Sequence, residues 1–287
     1  MTETEASAVV VDKPAAARSR TPLLVVIVAL IAAIAGLLGY MMGGNAATKQ
    51  FIAENPSSAT AIKAKLKDVK AGTGDKTAKP LADGTYNAQI QGSGGPLQSQ
   101  EDITNVHRRN AEDPFAIGAV DAPVVISEFS DFECPFCARY ATETDPKIMS
   151  EYVDKGLVRI EWNDLPINGP AAEAAAKAGR AAAEQGKFNE FKNALFAEAA
   201  KKDGHPNFGE ADFERFATEA GVPDMAKFKA DAASDKYDGA ISQAVQYGSG
   251  LGVNGTPAFL VGTKFVSGAQ PWEVFKATID EQLAMTV

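Results

Sequence analysis

The order of apolar and polar positions predicts alternating strands and helices in the C-terminal part of the chain. Two β-branched runs, Val124–Phe129 and Leu157–Trp162, are typical of buried strands, and a helix is predicted after each. Near the end, Ala258–Val261 and Lys264–Ser267 flank a Gly-Thr pair and predict a hairpin, followed by one amphipathic helix. Between the second strand and the hairpin, aromatic residues recur at helical spacing over about 168–252, which predicts a helical insertion. The pattern therefore predicts an α/β fold whose sheet is covered by helices on both faces.

Leu23–Met42 is an apolar segment of twenty residues without a charge. Because a helix rises about 1.5 Å per residue, this length matches a hydrocarbon core of about 30 Å and predicts a transmembrane anchor. Cleavage at Gly44-Asn45-Ala46, as in a secretory signal, remains open as an alternative. Three basic residues lie within twenty positions before the segment, and one lies within the same distance after it. This asymmetry predicts a single-pass protein of the cell membrane with a cytoplasmic N-terminus and an extracytoplasmic C-terminal part.

Composition divides the rest of the chain into three further parts. Residues 1–22 are polar and Ala-rich, and are predicted to form a cytoplasmic tail. Residues 43–112 are rich in Gly, Ser, Ala, Lys and Gln, and are predicted to form an extracytoplasmic stalk. Within that stalk, a short helix is predicted over 59–70 and an isolated strand over 85–90. Residues 113–287 are predicted to be the folded domain.

Charge and cysteine content narrow the possible functions. A net charge of −9 over 287 residues is not typical of a nucleic-acid-binding protein, which needs clustered Lys and Arg to neutralise phosphates. The two cysteines, Cys134 and Cys137, and the two histidines, His107 and His205, do not match the ligand spacing of a zinc site. We therefore predict neither a metal nor a cofactor.

Cys134-Pro135-Phe136-Cys137 is the pattern that carries chemistry. It lies between the first predicted strand and its helix, so Cys134 is predicted at the N-cap and Pro135 at the first helical position. The positive end of the helix stabilises a thiolate there, and the pKa of Cys134 should be low. Cys137 follows one turn later and can form a disulfide with Cys134. Because a sulfur of low pKa is a good leaving group, this disulfide is readily transferred to another protein. A purely structural disulfide is the alternative, although so short a loop would stabilise the fold very little.

Three acidic residues precede this pattern. Glu128 lies six positions before Cys134 and shares a predicted strand face with apolar residues, which predicts a buried acid that relays a proton to or from Cys137. An ordinary surface glutamate at a strand end is the alternative. Asp131 and Glu133 are expected to be solvated loop residues.

The segments Phe129–Cys137 (FSDFECPFC) and Gly255–Phe259 (GTPAF), with the helices between them, resemble the DsbA-like family of the thioredoxin superfamily. The resemblance extends over about 113–287 and implies a thioredoxin-like core with a helical insertion. The anchor and stalk resemble the tethered forms of Gram-positive bacteria. One departure is the Pro-Phe pair between the cysteines, where the best-known oxidases of the family carry Pro-His.

The same resemblance implies a role for each residue of the site. Cys134 would be the nucleophile, Cys137 the resolving cysteine and Glu128 the buried acid. The expected substrate-binding residues are Thr256, whose backbone would pair with substrate chains, Pro257, as a cis-proline facing the disulfide, Pro135 and Phe136.

The resulting expectation is an extracytoplasmic thiol:disulfide oxidoreductase that forms disulfides in exported cysteine-containing proteins. By resemblance, a quinone-linked membrane protein would re-oxidise it. A tethered reductase or isomerase and a non-enzymatic anchored binding module remain alternatives.

Overall fold

A mixed sheet of five strands organises residues 56–287, the part of the chain that the computed structural model describes. The strands are β1 (Ala116–Ile117), β2 (Val124–Ser130), β3 (Val158–Asp164), β4 (Ala258–Val261) and β5 (Lys264–Ser267), in the spatial order β1-β3-β2-β4-β5. The central strands β2 and β3 are parallel, and every other pairing is antiparallel. Every residue of β2 and β3 is buried, including polar ones such as Glu128 on β2 and Glu161 on β3, because helices and loops cover both faces of these central strands.

The helices of the described residues fall into three groups. A short helix, α1 (Pro56–Lys65), precedes a 3₁₀ helix over Gln100–Val106. After β2 come α2 (Pro135–Glu143), α3 (Asp145–Ile148) and a π-helical turn, Met149–Val153. The insertion between β3 and β4 contains α4 (Pro170–Ala183), α5 (Phe188–Ala199), α6 (Glu210–Glu219), α7 (Met225–Ala233) and α8 (Asp238–Gly250), and α9 (Trp272–Ala284) ends the fold.

Helices cover both faces of the sheet. On one face, Val124 and Ile126 of β2 pack with Tyr140 of α2 and with Phe275 and Ile279 of α9. On the other face, the partners of β2 and β4 come from the end of α8, from the segment that follows it and from the 3₁₀ helix. A third apolar core fills the insertion and extends to the cysteine-bearing start of α2. The thioredoxin-like α/β fold with a helical insertion is confirmed.

Residues 66–112 do not form the predicted stalk, because they pack on the sheet and on the insertion. Ala88 is 3% exposed, and its carbonyl accepts a hydrogen bond from Arg180 Nη1 at 2.6 Å. Val106 is 2% exposed within the core that covers β4. Arg159 Nη2 donates to Asn110 O at 2.6 Å. The carbonyl groups of Ala88 and Asn110 are thus satisfied by arginine side chains rather than by a strand or helix partner.

Some predicted elements shift or disappear in the structure. The isolated strand at 85–90 is absent, and Tyr86 N instead donates to Glu184 O at 3.0 Å. The helix predicted over 59–70 ends at Lys65. The predicted tail and the apolar segment at 23–42 lie outside the described residues. Within residues 56–287, every helix is too short or too polar to cross a membrane.

Candidate active site

Cys134 and Cys137 lie at the start of α2, where the chain leaves β2. Cys134 is the N-cap residue with an extended backbone, and Pro135 occupies the first helical position. The backbone N–H groups of Cys137 and Ala138 donate to Cys134 O at 3.0 and 3.1 Å. Both cysteines are free thiols, with Cys134 5% exposed and Cys137 fully buried. A molecule approaching from solvent therefore meets the sulfur of Cys134 first.

The surroundings of Cys134 favour its thiolate. A hydrogen bond from the Cys137 thiol is the largest cause that lowers the pKa of Cys134 to about 6. The Thr256 side chain and the backbone N–H groups of Cys137 and Phe136 act in the same direction, and burial opposes them. These N–H groups belong to the first turn of α2, at the positive end of the helix, where a negative charge is stabilised. Cys134 is therefore mostly ionised at neutral pH.

Cys137 has the opposite character. Burial raises the pKa of its thiol well above the ordinary value, and the hydrogen bond to Cys134 and the nearby Cys134 charge raise it further. The Ser130 hydroxyl offsets a part of this effect. Cys137 must nevertheless lose its proton to attack a disulfide at Cys134, so a proton acceptor is needed inside the protein.

Glu128 lies on β2 with its side chain on the buried face that carries Val124 and Ile126. It pairs with Trp162 on β3 and with Phe259 on β4, and it is 1% exposed. Burial is the main cause that raises the pKa of Glu128 to about 7. Its Oε2 atom has no hydrogen-bond partner among the described residues. A carboxyl group in this state can accept or donate a proton near neutral pH.

Thr256 and Pro257 form the loop before β4, and Thr256 contacts the sulfur of Cys134. The peptide bond between them is cis, and Cys134 Sγ donates to Thr256 O at 3.3 Å. Pro257 O accepts a hydrogen bond from Gly268 N at 2.8 Å, which ties this loop to the residue after β5. The loop before β4 is thereby held against the sulfur of Cys134.

Asp131 is buried, so the expectation of a solvated loop residue is wrong. It is 1% exposed, and its Oδ2 accepts hydrogen bonds from the backbone N–H groups of Ile167 and Asn168 at 2.9 and 3.0 Å. Its Oδ1 accepts a hydrogen bond from Glu133 N at 2.8 Å. Burial raises the pKa of Asp131 despite these bonds. Asp131 thus joins the turn before Cys134 to the loop that follows β3.

Glu133 is also buried, and the same expectation is wrong for it. It is 1% exposed, and its carboxylate accepts hydrogen bonds from Asn207 N at 2.8 Å and Phe208 N at 3.3 Å. Its backbone carbonyl lies 2.8 Å from Nδ1 of His205. Three contacts therefore connect the residue before Cys134 to one loop of the insertion.

The surface around Cys134 has an apolar part. Phe136 is 47% exposed, and Ile167 on the loop held by Asp131 is 46% exposed. The guanidinium group of Arg139 lies 5.2 Å from the centre of the Phe136 ring. Within residues 56–287, no group of three or more His, Cys, Asp or Glu side chains is placed to hold a metal ion.

Two family models match the chain. The one described as Thioredoxin matches residues 110–281, which is more than half of the chain, and the one described as the DsbA N-terminal domain matches residues 43–106. The chain belongs to the DsbA-like thioredoxin superfamily. The second match ends at 106 and so covers most of the segment that packs on the sheet and the insertion.

Named relatives of this DsbA-like chain fall into two kinds. It is 33% identical to the Na(+)/H(+) antiporter NhaA 3 of Salinispora tropica over 56% of this chain and 24% of the antiporter. It thus spans about a quarter of the length of that relative. It is 29% identical to the "Probable disulfide bond formation protein D" of Bacillus cereus, over 58% of this chain and 78% of that protein.

The solved structure of oxidised BdbD from Bacillus subtilis has a similar fold. It superposes with a TM-score of 0.55 at 22% identity, over 59% of this chain and 92% of BdbD. At this identity the likeness concerns the fold alone.

Proposed function

We propose that this protein is a thiol:disulfide oxidoreductase that forms disulfides in exported proteins through a Cys134–Cys137 redox pair. The observation that carries the proposal is the difference between the two sulfurs. Cys134 sits at a helix N-terminus with its pKa lowered to about 6, whereas Cys137 is fully buried behind it. Membership of the DsbA-like superfamily, and the name of the Bacillus cereus relative, support the same activity.

The reaction transfers one disulfide without a cofactor. A substrate thiolate attacks Sγ of Cys134 in the oxidised protein, the Cys134–Cys137 bond breaks, and the Cys137 sulfur leaves and takes up a proton. A second substrate thiolate then attacks the substrate sulfur of this mixed disulfide and releases the Cys134 thiolate. The substrate loses two electrons, and the cysteine pair gains them.

Glu128 is proposed as the proton donor and acceptor for Cys137. Its carboxyl group lies on the strand that leads to the cysteines, and its pKa of about 7 allows both protonation states at neutral pH. As an acid it protonates the leaving sulfur of Cys137, and as a base it activates Cys137 in the reverse step.

Substrate chains are proposed to bind across Thr256, Pro257, Pro135 and Phe136. The backbone of Thr256 lies beside the Cys134 sulfur, where it can pair with an extended peptide. The exposed ring of Phe136 offers an apolar contact to side chains of an unfolded substrate.

Oxidation is favoured over reduction or isomerisation by the low pKa of Cys134. A stabilised thiolate makes the reduced protein more stable and therefore makes its disulfide a better oxidant. Turnover then needs an oxidant that restores the Cys134–Cys137 disulfide. We propose a quinone-linked membrane protein for this step, by likeness to the DsbA-like family.

Attachment to the membrane is proposed from the apolar segment at 23–42 and the basic residues before it. The full-length chain should fractionate with membranes, and protease added to cells without a wall should cleave its C-terminal part. Complete protection from protease, or a soluble mature form that starts after Ala46, would contradict the anchor.

Refolding of a reduced, disulfide-containing protein tests the activity itself. The oxidised protein should restore the activity of reduced ribonuclease, and Cys134→Ser should abolish the effect. Offered a substrate protein that already carries a disulfide, Cys137→Ser should accumulate a mixed disulfide: the Cys134 thiolate attacks the substrate disulfide, one substrate sulfur leaves as a thiolate, and the Cys137 sulfur that would release the enzyme is missing. Equal refolding by the wild type and Cys134→Ser would favour a binding module instead.

A further inference from the structure

A buried polar cluster lies beside Glu128 and receives one side chain from α5 and one from α3. Lys192 of α5 and Asp145 of α3 are each 5% exposed. The neighbours of Lys192 on α5, Phe191 and Leu195, are fully buried apolar residues. A lysine ammonium group in such a position is costly unless negative charge surrounds it.

The charged groups of the cluster form few hydrogen bonds with one another. Lys192 Nζ lies 3.3 Å from Asp145 Oδ2, which is longer than the charge-assisted bonds of about 2.8 Å that exposed lysines form. Among the described residues, Asp145 Oδ1, Glu128 Oε2 and the Tyr140 hydroxyl have no hydrogen-bond partner. The Lys192 ammonium group thus faces two carboxyl groups, those of Asp145 and Glu128. If both carboxyl groups were ionised, the cluster would carry a net buried negative charge.

We propose that Lys192 and Asp145 are positioning residues that set the pH at which Glu128 exchanges a proton with Cys137. The proposal deepens the proposed function and rests on it. The cation comes from the helical insertion, so the insertion takes part in the proton transfer of the thioredoxin-like core. Helix α5 also shares the apolar core that reaches Cys137 and Ala138 of α2.

Lys192 and Asp145 act on Glu128 in opposite directions. Burial is the largest cause of the raised pKa of Glu128, the Lys192 charge lowers it, the Asp145 charge raises it, and the Ser130 hydroxyl lowers it. The Tyr140 hydroxyl also faces Asp145 and Glu128, and burial raises its own pKa well above the ordinary value, so it stays neutral. Burial lowers the pKa of Lys192, but Asp145 and Glu128 raise it by more, so the ammonium group stays charged.

A structural role alone predicts something different. If Lys192 only filled space with its aliphatic stem, Lys192→Met would be nearly silent, and Asp145→Asn would change stability without moving a pH profile. If the pair sets the protonation of Glu128, each neutral variant moves the profile, and the two move it in opposite directions.

Reaction of the reduced protein with dithiobis(nitrobenzoate), at no more than one equivalent, separates the two sulfurs. The Cys134 thiolate attacks the probe, forms a mixed disulfide and releases one coloured thiolate. Cys137 then loses its proton, attacks Sγ of Cys134 and releases the second coloured thiolate. The protein dithiol loses two electrons and the probe gains them.

The pH dependence of the second release tests the proposal. Lys192→Met should move its midpoint up by about one unit, which is about a tenfold slower second release below the midpoint, because Glu128 holds its proton more tightly. Asp145→Asn should move the midpoint down by a similar amount. The midpoint of the first release, which reports Cys134, should stay within a few tenths of a unit. Lys201→Met removes the same charge from the exposed end of this helical region and should leave both midpoints in place.

Several results would overturn the proposal. One is a midpoint of the second release that neither Lys192→Met nor Asp145→Asn changes. Another is a shift of that midpoint in the same direction in both variants. A third is an equal shift in Lys201→Met. Should Lys192→Met not fold, Asp145→Asn alone decides the outcome by the sign of its shift. A second release that Glu128→Gln leaves unaltered would reject the role of Glu128 together with this proposal. Absence of the first release from the wild type would instead reject the proposed function.

Discussion

At the level of residues, Cys134 and Cys137 have the same side chain and very different acidity. The difference arises because Cys134 caps the N-terminus of α2, whose positive end stabilises a negative charge, whereas Cys137 lies inside the fold. The hydrogen bond between the sulfurs lowers the pKa of one and raises that of the other. A single negative charge is thus held on the sulfur that solvent can reach.

Titration of the reduced protein should show this asymmetry directly. The ultraviolet absorbance of the thiolate should rise with a midpoint of about 6, and alkylation should modify Cys134 well before Cys137. Cys134→Ser should lose this transition and serves as the control. A midpoint at or above about 8.5, the value of a free cysteine, would contradict the assignment.

Glu128 should make the stability of the fold depend on pH. Its pKa is raised from 4.5 to about 7, so between these values the folded protein holds a proton that the unfolded chain has released. The stabilisation is complete below pH 4.5 and is lost as the pH rises through 7. Glu128→Gln should therefore be more stable than the wild type at pH 8, by at most about 3 kcal/mol, and similar to it near pH 4.

Urea unfolding of the two proteins in the same redox state measures this difference. Both proteins contain the same two cysteines, so the contribution of cysteine titration to stability cancels in the comparison. The quantity compared is the difference between the free energies of unfolding of Glu128→Gln and the wild type. If this difference is the same at pH 4 and pH 8, the Glu128 carboxyl does not titrate within the fold.

At the level of elements, Asp131 and Glu133 connect the active-site turn to two loops. Asp131 holds the loop after β3, and Glu133 holds the loop between α5 and α6. The second loop contains Asn207, whose positive φ of 52° turns successive N–H groups towards the Glu133 carboxylate. The insertion is thereby joined to the residue that precedes Cys134.

Removal of this carboxylate should loosen the loop and destabilise the fold. Glu133→Ala leaves the N–H groups of Asn207 and Phe208 without an acceptor, and we expect a loss of about 2–4 kcal/mol in the free energy of unfolding. Hydrogen exchange at these two amides should become faster. Glu190→Ala removes an exposed carboxylate on α5 and should change little. Unaltered exchange at Asn207 and Phe208 would contradict the role of Glu133.

The elements with strong local patterns were predictable from the sequence. The hairpin of Ala258–Val261 and Lys264–Ser267 has the predicted bounds, and β2 and β3 differ from prediction by one or two residues at an end. Asp131 and Glu133 were not predictable as buried, because their partners are backbone N–H groups of loops that are distant in sequence. Lys192 was missed for a similar reason, since its position on the apolar face of α5 shows no partner until the fold brings Asp145 to it.

At the level of the whole molecule, the segment before β1 belongs to the folded unit. A polar, Gly-rich composition suggested a spacer, yet Ala88 and Val106 of this segment are buried against the insertion and the sheet. The buried Glu161 carboxylate accepts hydrogen bonds from Arg108 N and Arg109 N at 2.7 and 2.8 Å. Such contacts leave no mark in the local sequence pattern, since they depend on side chains from β3.

A chain that starts at residue 113 should therefore be much less stable than one that starts at residue 55. The shorter chain leaves Glu161 with fewer donors and exposes the apolar surface under Ala88 and Val106. We expect a loss of at least about 3 kcal/mol, or insolubility, because a buried charge loses partners. Equal urea midpoints for the two chains would show that residues 55–112 add nothing to the fold.

The reduction potential of the Cys134–Cys137 pair tests the central claim most directly. Thioredoxin combines a cysteine pKa of about 7 with a potential of about −270 mV, and DsbA combines about 3.5 with about −120 mV. A Cys134 pKa of about 6 lies between them, so we expect a potential above about −270 mV and below about −120 mV. Equilibration with glutathione buffers, followed by quantification of the two redox forms, measures it. A value clearly above that of thioredoxin, about −270 mV, would support a pair that donates disulfides to exported proteins. A value at or below about −270 mV would contradict the proposed oxidase and favour a reductase.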